Sequence, residues 1–392
     1  MPATDGDVRP YRVGMLAEAL EVAGHEVVVW TADFDHVRRV KRSRSGPVGG
    51  GRRVQWFLLP AGGFRKPVSL ARVRHNRKLA RLFRSQAAAE TRPQLVYVSL
   101  PTPDLAWSAV DMARELGIPS VVDVRDRWPD VFLTVLPRRL RRLGRRVLFA
   151  EYRRARQALR HATRRIAISD ADLDWAHVTG GFWHPEDRAF PLAYPDPGSR
   201  LATVAARDPN MVVFTGRFAR SADILTIIEA SRILAKRRPP VRFVIAGDGP
   251  GAARLQALAA GIPGVEFTGR LPYQELTELL ARASVGLAPY SGDALQTLPN
   301  KPFEYWSAGV PVVTSLTGEL RALIEDHRVG CCYAPGNPEQ AAAAIERLLD
   351  DPDQNGLHER SRRLYEDRFR ADRVYPQLVR YLEQVTAAPA SN

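Results

Sequence analysis

Short β-branched runs alternate along this chain with longer stretches in which apolar positions recur every three or four residues. In the first half the runs fall near 26–31, 54–59, 95–99, 119–123 and 165–169. Helices are predicted over about 9–23, 69–89 and 104–116, and from 170 onward. Val13, Leu16, Ala17 and Leu20 share one face of the first helix, which Gly24 closes, and Ser169 caps the last. The second half repeats the alternation, with strands near 211–215, 242–246, 264–267, 284–288, 311–314 and 330–333. Single helices between successive strands predict parallel sheets covered on both faces.

Residues 183–209 are rich in proline, aspartate and glycine, a linker composition that separates two α/β domains. The expected division is 1–190, 205–365, and a terminal segment 366–392 returning to the first domain, with 361–382 able to make the crossing. A strand normally precedes the first helix of such a domain, and residues 1–7 are too short and polar to supply it. The expectation is a translation start upstream of Met1, or a domain without that strand. Residues 32–52 read as a polar, basic loop.

Composition changes this picture in two places. The 392 residues, 45% apolar, suffice for two cores, and no apolar run approaches the ~20 residues of a membrane span. Cys331 and Cys332 are the only cysteines and are adjacent, so a reducing, cytoplasmic setting is expected, peripheral on the inner face of the plasma membrane if lipid is bound. The net charge is +14, and residues 138–165 hold twelve arginines against one acid, Glu151, with Leu140, Leu143, Val147, Phe149 and Leu159 threaded among them. The pattern suits a long basic helix on an anionic membrane surface; a merely solvated helix stays open, and nucleic acid is not expected without a binding motif.

The candidate chemistry centres on the stretch 297–315. Pro299 and Pro302 suit a loop and helix start that hold Glu304 near the helix beginning, with Phe303, Trp306 and Ser307 inward and Gly309 as the stop. Upstream, Gly216-Arg217 and Gly247-Asp248-Gly249-Pro250 follow apolar runs. Glycine turns at strand ends, an arginine and a carboxylate suit a nucleotide diphosphate. Asp33-x-Asp35 and Asp170-x-Asp172 match a metal-binding dipeptide pattern that occurs by chance, and no histidine spacing accompanies them. No metal or other cofactor is expected.

Residues 299–311, with 213–218 and 244–250 in the same order, resemble the signature of the family 4 glycosyltransferases, retaining enzymes of GT-B fold. Residues 24–31 and 123–130 are similar to bacterial members that build surface polysaccharide. The resemblance implies two Rossmann-like, doubly wound domains facing a central cleft, with C-terminal helices crossing back. It implies a nucleotide-sugar donor, UDP-linked by expectation and with N-acetylhexosamines among the candidates. The implied acceptor is a polyprenyl-diphosphate saccharide or a related molecule in cell-surface polysaccharide or glycolipid synthesis. Glu304 matches the ribose-binding glutamate and Arg217 the cation on the diphosphate; Arg220, Arg270 and Lys301 are further basic candidates, and Gly247, Asp248 and Gly249 form the second glycine turn. Asp126 matches an acidic or histidine position near the reacting sugar carbon, against a plain ion pair with Arg125 or Arg127; Asp5 and Arg9 lie near the expected sugar-facing loop. The family pairs two glutamates eight positions apart, and here Gln296 stands in the earlier place. A nucleotide-sugar 2-epimerase and a non-catalytic subunit of the same fold are the alternatives.

Overall fold

The structure, a computed structural model, describes residues 11–35, 40–41, 53–64, 69–198, 206–238 and 241–388. The chain divides into two compact units. The first comprises Tyr11–Pro191 and the segment from Tyr375 on; the second is Leu192–Val374.

The first unit opens with α1 (Arg12–Val22), β1 (Val27–Ala32), a short antiparallel pair β2 (Phe34–Asp35) and β3 (Val40–Lys41), β4 (Val54–Leu59) and α2 (Leu70–Ala87). The small pair occupies part of the expected polar loop. Then come β5 (Val96–Ser99), α3 (Pro103–Leu116), β6 (Ser120–Val124), α4 (Asp130–Leu133), α5 (Arg141–Val147), α6 (Phe149–His161), β7 (Arg164–Ala167), α7 (Asp170–Gly180) and β8 (Arg188–Ala189). The parallel strands form two sheets, β1-β4 and β5-β6-β7-β8, over one core that joins Leu59 and Ala61 to Val96, Val98 and Leu100. Serine caps work as expected, with Ser69 accepting from the Arg72 amide and Ser169 from the Asp172 amide.

The expected long basic helix is a correction. A 3₁₀ turn at Arg138–Leu140 leads into α5, Leu148 breaks the helix, and α6 ends before β7. Arg164 and Arg165 belong to that strand and are buried, paired with Glu186 and, at 2.8 Å, Asp187. Burial of these two arginines demanded carboxylates, which the loop after α7 supplies.

The second unit carries β9 (Met211–Thr215), α8 (Ile224–Arg237), β10 (Arg242–Ala246), α9 (Ala252–Ala259), β11 (Val265–Gly269), α10 (Tyr273–Arg282) and β12 (Val285–Ala288). It continues with α11 (Asn300–Ser307), β13 (Val312–Thr314), α12 (Glu319–His327), β14 (Gly330–Cys332), α13 (Pro338–Leu349), α14 (Gln354–Arg368) and α15 (Ala371–Ala387), which passes into the first unit at Tyr375. The six strands are parallel, in the order β11-β10-β9-β12-β13-β14. The order reverses between β9 and β12, and ligands of such sheets bind outside the carboxyl ends of the strands at that point. The crossing falls within 361–382 and later than the boundary at 366, because Leu364, Tyr365 and Phe369 are buried and Phe369 packs on Phe303 and Trp306 of α11. That aromatic packing ties all of α14 to the second unit.

Candidate functional site

The strand ends of the second unit gather most of the residues singled out from the sequence. Gly216 follows β9 with φ 123°, a backbone conformation open to glycine, and its amide donates to the Ala246 carbonyl at the end of β10. Gly247 faces it so closely that a Cβ there would come within 1.8 Å of the Gly216 oxygen. The amide of Phe218 donates to the Asp248 carbonyl, and the Asp248 side chain accepts from the Gly249 amide at 2.6 Å. The two glycine turns therefore form one backbone-to-backbone ledge. Arg217 and Arg220 are exposed on it, Asp248 is exposed beside it, and Arg270 is exposed just after β11.

On the other side of the reversal, α11 sends two side chains toward β9. Lys301 reaches Gly216, where a Cβ would stand 3.0 Å from its Cε and 3.4 Å from its Nζ. Its ammonium lies 5.3 Å from the Phe214 ring centroid and 5.4 Å from that of Tyr290, within cation–π range. Gly216 thus makes room for a cation as well as for a turn.

Glu304 is placed differently from expectation. The helix begins at Asn300, so Glu304 sits in its second turn and is fully buried. One carboxylate oxygen accepts from the Tyr194 hydroxyl at 3.0 Å, the other from the Thr215 hydroxyl at 3.1 Å. Tyr305 anchors the same cluster by donating to the Leu287 carbonyl and accepting from the Thr215 amide, both at 2.9 Å. Tyr194 is fixed by its own backbone: its amide donates to Phe369, and its carbonyl accepts from Ala371 and the Tyr365 hydroxyl. Both carboxylate oxygens thus already accept a hydroxyl from the protein, and a ligand hydroxyl reaching Glu304 competes with these donors. Gln296 is exposed in the loop between β12 and α11.

The first unit holds Asp126 just beyond β6, open to solvent yet walled by protein. Burial raises its carboxyl above the usual range; Arg125 and Arg72 oppose the shift and Asp172 adds to it. Arg127 does not pair with Asp126, because its Nε donates to Asp172 at 2.8 Å and its terminal nitrogen to the Ala171 carbonyl. Asp172, from one of the two metal-like dipeptides, also accepts from the Ser169 hydroxyl, and buried Asp33 from the other lies 3.6 Å from the Lys41 ammonium. Asp5 and Arg9 lie outside the described residues.

Sequence reading missed three groups here. Arg72 lays its guanidinium 4.0 Å from the Trp128 ring centroid and 5.2 Å from that of Phe64, and burial lowers its pKa to about 10. Asp123 is fully buried, accepting from Arg12 at 3.0 Å and from the Tyr97 hydroxyl at 2.5 Å. Burial alone would lower the pKa of the Arg12 guanidinium, but the Asp123 carboxylate outweighs it and holds it above the ordinary value. Arg12 in an otherwise amphipathic helix start was the available signal. Tyr194, in an irregular segment, offered none.

Two family models match the chain: the glycosyl transferase 4-like domain over residues 11–191 and the group 1 glycosyl transferases over 209–351. Alpha-D-kanosaminyltransferase of Streptomyces kanamyceticus is 28% identical over 258 residues, 62% of this chain and 64% of that protein. A GDP-mannose-dependent alpha-(1-6)-phosphatidylinositol dimannoside mannosyltransferase of Mycobacterium tuberculosis is 28% identical over 247 residues, 62% of each. The chain thus spans less than two thirds of the length of these curated relatives. Among solved structures, Anabaena HepE in complex with UDP-glucose superimposes with a TM-score of 0.63 at 16% identity, covering 93% of this chain and all of that one. The ledge of glycine turns, the parallel sheets and the two family models in their order lead to one conclusion: this chain belongs to the family 4 glycosyltransferases of GT-B fold.

Proposed function

We propose that this protein is a retaining glycosyltransferase, with its nucleotide-sugar donor, a UDP-sugar, bound by the second unit. The observation that carries the reading is the meeting of Lys301 with Gly216 beside the Gly247 turn, at the reversal of strand order. Backbone amides, Arg217 and Lys301 would hold the diphosphate, with Arg220 and Arg270 as outer cations, and Glu304 would take the ribose. In the transfer, the bond from the anomeric carbon to the diphosphate oxygen breaks and one to the acceptor oxygen forms. The acceptor proton passes to the departing diphosphate, whose growing charge Arg217 and Lys301 offset. Gln296 would read the sugar hydroxyls, and Asp126 would stabilise positive charge on the sugar ring or orient the acceptor. No metal or other cofactor enters this scheme.

The acceptor in this reading is a lipid-linked saccharide, such as a polyprenyl-diphosphate sugar, in surface polysaccharide or glycolipid synthesis at the cytoplasmic membrane face. The arginine-rich segment supports it, as does the likeness to a relative named for a phosphatidylinositol dimannoside. That relative is GDP-mannose-dependent, so a GDP-sugar is the rival donor. A thermal-shift screen tests both, since a ligand bound only by the folded state raises its stability. UDP and a UDP-sugar should raise the midpoint and GDP should not; the reverse assigns a guanine donor. Absence of any shift at millimolar nucleotide would favour a non-catalytic subunit, and release of a free epimerised sugar nucleotide would favour the epimerase.

A further inference from the structure

The arginine-rich segment is not one uniform surface, and α6 keeps Arg153, Arg156 and Arg160 exposed on its outer side. In α6, Glu151, Ala155, Ala158 and Leu159 are buried, and Arg164 and Arg165 lie inside the sheet. The stretch 138–149 is turned outward. Gly144 packs α5 onto the preceding turn so tightly that a Cβ would come within 2.6 Å of Leu136 and 2.8 Å of Leu133. Beside that contact face, Leu140, Leu143 and Val147 follow one another at spacings of three and four residues, a single helical stripe. Their exposures are 42%, 57% and 76%, and Phe149 beyond them is 65% exposed. Arg139, Arg142 and Arg146, all exposed, project along the stripe's free flank. Between positions 131 and 150 the sequence holds six arginines and no acid.

We propose that this face docks on an anionic lipid bilayer. Leu143, Val147 and Phe149 enter the boundary between headgroups and acyl chains, and the flanking arginines pair with lipid phosphates. Both halves of the surface are used: charge alone would suit any polyanion, but a nucleic acid would leave the aliphatic stripe in water. α6 serves as the base on which α5 is mounted. The surface belongs wholly to the first unit and does not depend on which donor is bound, so vesicle binding and nucleotide binding fail separately.

The full chain should float with phosphatidylcholine vesicles containing about 30 mol % phosphatidylglycerol at low salt, and binding should weaken steeply at about 0.5 M salt. Arg139→Gln, Arg142→Gln and Arg146→Gln together should lower the affinity about a hundred-fold, at roughly five-fold per charge. Leu143→Ser with Val147→Ser should lower it at least about ten-fold while leaving the salt dependence in place. A tryptophan at position 147 should blue-shift its emission on these vesicles. Both sets of variants carry exposed substitutions, and an unchanged thermal midpoint and UDP shift verify that they fold. Equal binding to pure phosphatidylcholine, binding indifferent to both sets, or no binding at low salt overturns the proposal. Capture of a DNA duplex in preference to the vesicles does so too.

Discussion

The Tyr194 hydroxyl donates to the buried Glu304 carboxylate at 3.0 Å, so the group proposed to read a ribose is already satisfied by the protein itself. Thr215 satisfies the other oxygen. A carboxylate sealed in the fold cannot stand without donors, and two hydroxyls meet the same need that two ribose hydroxyls would. Nucleotide binding then exchanges one hydroxyl for another, with the loss of the Tyr194 contact set against it. Tyr194→Phe should tighten UDP binding about five- to ten-fold, the scale of one hydrogen bond, while lowering the stability of the free protein. Glu304→Ala should weaken UDP binding by roughly 1.5–3 kcal/mol. Titration calorimetry on both variants decides it; a folded Glu304→Ala with unchanged UDP affinity removes the ribose assignment and leaves the cluster a structural one.

Charge on the departing diphosphate gives a second prediction. Arg217 and Lys301 are the cations proposed to receive it, one from the ledge after β9 and one from α11. Arg217→Ala should depress kcat by about a hundred-fold or more, while EDTA should leave turnover intact. Activity restored only by manganese would transfer the role to a metal. Gly216→Ala should mimic the loss of Lys301, because a methyl there meets the Lys301 side chain and the backbone resists φ 123°.

The strands of the second unit were legible because a buried parallel strand is a nearly continuous apolar run, as in Met211–Thr215 and Arg242–Ala246. The donor-side glycine turns were legible for a related reason, since only glycine permits backbones to approach as Gly247 approaches Gly216. The break at Leu148 was not, because arginine and leucine favour helix on both sides of it. Nor was the sealing of Glu304, whose partner Tyr194 lies 110 residues away in a segment without period. The later crossing at Tyr375 depends on the packing of Phe369 against Phe303 and Trp306, which no local pattern encodes.

The two units should respond oppositely to pH. In the first, burial and then repulsion from Asp104 push Glu151 up to about 7, against Arg154 and Arg77. A carboxyl raised above its unfolded value binds more protons in the folded state, so its stabilisation is full at low pH and is lost as pH rises toward 7. In the second unit, burial and Arg207 lower His358 to about 4, although its Nδ1 lies 2.7 Å from the Gly309 carbonyl. A histidine lowered in the folded state takes up its proton more readily when unfolded, so stability is lost as pH falls from about 6.5 to 4. For His358 the effect is on the order of 3 kcal/mol. Glu151→Gln should flatten the decline between about pH 5 and 7, and His358→Gln the decline below about pH 6. Thermal midpoints measured across this range check both; unaltered profiles in the variants would mean that neither group titrates as its surroundings require.

The last prediction concerns Gln296, which is exposed in the loop before α11, eight positions ahead of Glu304. Beside a donor sugar, its amide can both donate to and accept from hydroxyls, whereas the carboxylate of the family pattern only accepts. Gln296→Glu should therefore be tolerated, because the side chains match in size and both accept. Gln296→Ala should cost about 1–3 kcal/mol in transition-state binding, the range for leaving polar groups unmet in a closed site. The loss should appear with the sugar nucleotide and not with UDP alone, since only the sugar would reach this position. Affinities for both ligands together with kcat/KM for the two variants separate the outcomes. Alanine silent in all three measurements would mean that the loop does not read the sugar, and the proposed role of Gln296 would fall.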